Sequence, residues 1–208
     1  MVDFITLVEK ELASTDLVQW LVLIFGVAEV LLARANNILL YPTGLVAIVL
    51  SVYSLFVAQL YAECLLNLYY FFMSVYGWWY WIKKKDEPPV KISYTTRYEW
   101  IITCAIVFGG WLLLYVVLRQ FTPSTVPIWD SWVSATAWAG MWLLARRKVE
   151  NWLLLNISNI FAVPLLFQKG LPMMAILTII LFLVAVKGYF DWIKILRTEK
   201  AGLSPFAE

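Results

Sequence analysis

Seven apolar stretches follow one another along the chain, near residues 17–34, 38–59, 61–82, 98–118, 129–146, 150–168 and 171–193. Each is long enough to cross a bilayer as a helix, which takes roughly 17–25 residues at about 1.5 Å of rise per residue. The connections after the first, second, fifth and sixth stretches are very short. Only Lys84 to Arg97, with Asp86-Glu87-Pro88-Pro89, and Gln120 to Trp129, with Pro123 and Pro127, carry the turn residues of real loops. The pattern predicts an all-α membrane protein of seven transmembrane helices.

The chain also repeats itself. Leu31-Leu32-Ala33-Arg34 returns as Leu143-Leu144-Ala145-Arg146, an offset of 112, and Tyr76-Gly77-Trp78-Trp79-Tyr80-Trp81-Ile82-Lys83 returns as Lys187-Gly188-Tyr189-Phe190-Asp191-Trp192-Ile193-Lys194, an offset of 111. Each copy spans three stretches, so direct repetition alone would invert the second copy. The unpaired fourth stretch restores the direction, giving two parallel three-helix repeats joined by a linker helix. The expected division is an external N-terminal segment 1–16, a first repeat 17–82, a loop and linker helix 83–128, a second repeat 129–194 and a cytoplasmic tail 195–208. Membrane repeats of this kind are typical of transporters, whose sites lie where the repeats meet.

Composition supports this reading and removes several chemistries. Apolar residues make up 62% of the 208, leaving almost nothing for a soluble domain. There is no histidine, which excludes His-based acid–base catalysis and His-ligated metals. Cys64 and Cys104 lie in apolar stretches outside any C-x-x-C pattern, so no metal or other cofactor is expected. The acidic first sixteen residues lack the basic start of a cleaved leader, so the first span is expected to remain. On the N-terminal side stand Lys10, Arg119 and Lys169. The other side carries Arg34, Lys83–Lys85, Lys91, Arg97, Arg146–Lys148, Lys194, Arg197 and Lys200. Positive charge stays cytoplasmic, so the N-terminus is expected outside and the C-terminus inside. Trp78, Trp79, Trp81 and Trp192 read as a headgroup belt beside those charges.

Polar residues inside the spans are the candidate functional groups, because a charge at mid-membrane costs about 2.5–3.5 kcal/mol on insertion scales. Glu63, Asn67, Tyr70 and Ser74 stand at i, i+4, i+7 and i+11 in the third span, on one helical face. Trp152, Asn156 and Asn159 do the same in the sixth. Any single Asn or Tyr is equally well explained by a helix–helix hydrogen bond worth about 0.6 kcal/mol. Two stripes at similar depth point instead to a solute pathway suited to a flat ring with polar edges. Glu29 and Lys187 read as a structural ion pair in preference to a gate, Pro164 as a bend in the sixth span, Asp130 as the cap of the fifth, Trp138 and Trp142 as lipid-facing or packed between helices, and Arg146–Lys148 as topology signals.

Leu60-Tyr61-Ala62, Tyr76-Gly77-Trp78, Val149-Glu150-Asn151-Trp152 and Lys169-Gly170-Leu171 resemble, in that order, the PnuC vitamin transporters. The resemblance covers nearly the whole chain. It implies a SWEET-like fold, a homotrimer in the bacterial inner membrane, and facilitated diffusion of nicotinamide riboside with trapping by cytoplasmic phosphorylation. It also implies no cofactor and no nucleic acid; relatives take thiamin or riboflavin. The family's sixth-span pattern, similar to Asn-Trp-x-x-Trp-x-x-x-Asn, falls on Asn151, Trp152, Leu155 and Asn159, so the second indole is absent. Tyr70 is the candidate to complete an aromatic cage, Trp152 would stack on a cationic ring for about 0.5–2 kcal/mol, and Glu63 would attract it at the outer mouth. The chain has no G-x-x-x-x-G-K-[ST] phosphate loop. An intramembrane enzyme would lack an evident nucleophile–base pair, and a membrane scaffold would leave both stripes without a task.

Overall fold

The computed structural model of the chain describes residues 16–57, 61–83, 91–122 and 124–200, together with Thr6. Among these residues there are seven helices and no named strand: α1 (Leu17–Arg34), α2 (Leu40–Val57), α3 (Tyr61–Lys83), α4 (Arg97–Phe121), α5 (Pro127–Ala145), α6 (Asn151–Gln168) and α7 (Pro172–Lys200). Five of them, α1, α2, α4, α6 and α7, are long and apolar enough to span a membrane on composition alone. The other two, of 23 and 19 residues, are as long but are rich in aromatic and polar residues, α3 carrying one of the polar stripes and α5 four tryptophans.

Local chemistry sets the boundaries. Asp16 and Gln19 form a reciprocal capping box at the start of α1, and Thr96 and Glu99 form another at α4. The fifth helix starts at Pro127, whose missing N–H costs nothing in the first turn. Asp130 is therefore not the cap: its carboxylate accepts from Ser124 Oγ at 2.6 Å and pairs with Lys169 Nζ at 2.6 Å, tying α5 to the end of α6. α6 runs unbroken through Pro164. α7, at 29 residues, continues beyond the stretch that apolarity marked.

Six helices close a ring in the order α1, α2, α3, α5, α6, α7, with α4 outside against α5. The ring obeys one register. α1 ends at Arg34 and α5 at Ala145, while α2 starts at Leu40 and α6 at Asn151, each pair 111 residues apart. The turns between them place Asn36 (φ 53°) and Arg147 (φ 56°) in the same left-handed conformation, again 111 apart. The Leu-Leu-Ala-Arg match at 112 is thus one residue out of register. Both copies carry an arginine at this corner, the first as the last helical residue and the second at the cap.

Contacts between the copies cross in the same register. Trp81 Nε1 of α3 donates to Ala145 O at 3.1 Å, and Trp192 Nε1 of α7 donates to Ala33 O and Arg34 O at 3.1 and 3.2 Å. Trp81 and Trp192 are therefore buried core residues rather than a headgroup belt; Trp79 alone of the four is strongly exposed. The ring of Tyr41 meets Trp81 edge-on at 5.1 Å, and that of Trp152, its counterpart 111 residues on, meets Trp192 edge-on at 5.6 Å. Both belong to one buried cluster that joins the copies at the end where α1 finishes and α2 begins, called the basic end below.

The basic residues there are structural as well as charged. Ser93 pairs with Lys148 through Ser93 N to Arg147 O and Val149 N to Ser93 O, while Glu150 Oε2 accepts from the backbone and hydroxyl of Thr95. Glu99 holds Lys148 at 2.9 Å and Arg146 at 3.6 Å. Arg147 lies 3.6 Å over the Trp81 ring, and burial pulls its guanidinium down to about 10, leaving it charged at neutral pH. Arg146–Lys148 thus fasten the start of α4 to the α5–α6 turn, beyond any role in topology. The expected Glu29–Lys187 pair does not form: Lys187 is exposed, and Glu29 instead packs against Gly44 of α2.

Candidate functional site

Of the six residues marked by sequence, Trp152, Asn156 and Asn159 share a face of α6 and Asn67 and Tyr70 share a face of α3. The side chain of Glu63, in the first turn of α3, lies outside the described residues. α3 and α6 are not neighbours in the ring, because α5 separates them.

Trp152 is fully buried, its indole pressed on Gly188 so closely that a Cβ there would stand 2.9 Å from the ring, with Nε1 unbonded. An open ring face at Trp152 would require α6 and α7 to part. Asn156, one turn further along, holds a buried Oδ1 without a hydrogen-bond partner, and Asn159 is half-buried beyond it. On α3, Tyr70 lies edge-on to Tyr69 at 6.1 Å, and Tyr69 stacks on Trp138 at 4.5 Å while donating to Trp138 O at 2.9 Å. Trp138 is accordingly packed between helices. Ser74, the last residue of the stripe, is fully buried with its hydroxyl unpartnered.

Tyr41 is the residue sequence reading passed over. It is 2% exposed, its hydroxyl lacks a partner, and its ring covers Gly77 as Trp152 covers Gly188. The signal was the 111-residue register, which aligns Tyr41 with Trp152. Leu155 fills the space over Gly140, where a Cβ would meet its side chain at 2.9 Å. No cluster of three or more metal-binding side chains occurs among the described residues. Unbonded indole, phenol, hydroxyl and amide atoms inside a helical ring can bind a polar solute; they form no nucleophile–base pair.

Residues 16–194 match the model of a family described as nicotinamide mononucleotide transporter. The chain belongs to this family. It is accordingly a multi-pass membrane transporter, and its PnuC resemblance holds. The nicotinamide riboside transporter PnuC of Escherichia coli K12 is 29% identical over 192 residues, covering 80% of each chain, and that of Shigella flexneri matches equally. A crystal structure of the vitamin B3 transporter PnuC superposes with a TM-score of 0.68 at 23% identity, over 93% of this chain and 88% of the other. That match establishes the fold within the family.

Proposed function

We propose that the chain carries nicotinamide riboside across the bacterial inner membrane by facilitated diffusion, with trapping by phosphorylation on the cytoplasmic side. The observation that carries this reading is the family match over residues 16–194, which is joined by two relatives named as nicotinamide riboside transporters. The excess of Lys and Arg at the basic end favours placing that end in the cytoplasm, with the N-terminus outside. Two parallel three-helix repeats, 17–82 and 129–194, would rock about the crossed indole contacts to expose the interior alternately. Assembly as a homotrimer belongs to the same proposal.

Trp152, Asn156, Asn159, Asn67, Tyr70 and Glu63 are assigned to the pathway. Trp152 would stack on the cationic ring once α6 and α7 part, and the amides would bind ribose hydroxyls or the carboxamide. Uptake into liposomes of nicotinamide riboside, thiamin and riboflavin, together with quenching of the twelve tryptophans, tests the assignment. Uptake of the riboside alone, lost in Trp152→Ala and in a folded Asn156→Leu, is expected. A preference for thiamin or riboflavin would retain the transporter and assign Leu155 to altered specificity; passage of none would refute the reading.

A further inference from the structure

The two copies satisfy the same packing at the basic end with different chemistry. Where the second copy has Gly140, Trp152 and Ala185, the first has Glu29, Tyr41 and Ser74, each 111 residues earlier. The second copy shows what the fold alone requires at these places: a small residue, an aromatic ring and a methyl group. Glu29 and Ser74 are therefore polar groups that packing does not call for, and Tyr41 puts a hydroxyl where the second copy has an indole N–H.

They also occupy one place. Glu29 of α1 lies on Gly44, one turn from Tyr41 on α2. The Tyr41 hydroxyl lies on Gly77, one turn from Ser74 on α3. Gly44 aligns with Leu155, so the copies exchange large for small: Glu29 over Gly44, Leu155 over Gly140. The exchange makes room for a carboxylate. Tyr41 and Ser74 are 2% and 0% exposed, and neither hydroxyl has a partner. Buried polar groups left unbonded cost about 1–3 kcal/mol each; the second copy avoids that cost at Gly140 and Ala185, whereas Trp152 keeps one unbonded N–H where the first copy has the Tyr41 hydroxyl. Glu29 has neither an ion-pair nor a hydrogen-bond partner among the described residues.

We propose that Glu29, Tyr41 and Ser74 form the cation-recognising half of the substrate site, the carboxylate as counter-charge to a pyridinium ring and the two hydroxyls as partners of the ribose. This rests on the riboside reading above and adds residues of the first repeat to it. The nearby Arg147 guanidinium stands over the Trp81 ring that Tyr41 meets and makes no ion pair with Glu29. A carboxylate inside a membrane without an ion-pair partner can take its counter-charge from a cationic ligand. Nicotinamide riboside, with its positive ring and polyhydroxylated sugar, matches both requirements.

The test compares nicotinamide riboside with its reduced, uncharged dihydro form, using full-length protein in liposomes and tryptophan quenching in detergent. Glu29→Gln is expected to lower affinity for the cationic riboside about tenfold while leaving the uncharged form nearly unchanged. Glu29→Met serves the same purpose if the Gln variant is not recovered. Tyr41→Phe and Ser74→Ala should each lower affinity for both forms about fivefold, with thermal unfolding unchanged or delayed because the lost hydroxyls have no protein partner. Equal loss of both forms in Glu29→Gln, or no loss of either, overturns the role of the carboxylate. Unchanged affinities in the two hydroxyl variants overturn theirs. A wild-type protein that takes neither riboside refutes the transport reading itself, and this inference with it.

Discussion

Gly77 and Gly188 show how little room single residues have at the basic end. Each lies beneath an aromatic ring, Tyr41 on one and Trp152 on the other, with no space for a methyl group. Gly188→Ala should therefore destabilise the protein by about 1–3 kcal/mol, the range for overpacking a filled core. Thermal unfolding in detergent would show it as a lowered midpoint. Gly26→Ala, where a Cβ meets nothing, provides the control and should not lower it. At this scale the sequence was partly legible. Trp152 stood out as an indole on a polar stripe, whereas Tyr41, in the first turn of a plain apolar run, had no such company. Its meaning comes only from alignment with Trp152, and four identical letters at an offset of 112 drew the eye one residue away from the true register.

Among elements, the clearest surprise is how α4 is held. Sequence placed it as a linker between repeats, and its apolar length was easy to see. What could not be seen is that Glu99, in its capping box, also binds Lys148 and Arg146 from the α5–α6 turn. Three adjacent basic residues read as a topology signal because their acidic partner lies about fifty positions away in sequence. Glu99 and Lys148 side chains are only 8% and 11% exposed. Glu99→Ala is therefore expected to cost about 3–5 kcal/mol by stranding the lysine, whereas the paired change Glu99→Leu with Lys148→Met should cost much less than the two single changes together. A double-mutant cycle on thermal or urea unfolding measures that coupling.

At the largest scale, six of the seven described helices form a closed ring whose two copies exchange hydrogen bonds. Trp81→Phe and Trp192→Phe each keep a ring and remove one indole N–H, so each should destabilise by about 1–2 kcal/mol. Trp192, with two acceptors against one, is expected to be the costlier of the pair; unfolding midpoints of the two variants would rank them. The seven-helix plan was readable from apolar length, since a bilayer allows few alternatives. The pairing of helices around the ring was not, because nothing in a single helix names its neighbour. That crossing has a consequence for synthesis. When α3 has left the ribosome, the indole N–H of Trp81 and the carbonyl of Arg34 still await groups that lie more than sixty residues downstream, the last of them at Trp192. The first half of the chain must enter the membrane with this corner unfinished, and α7 is the helix that completes it.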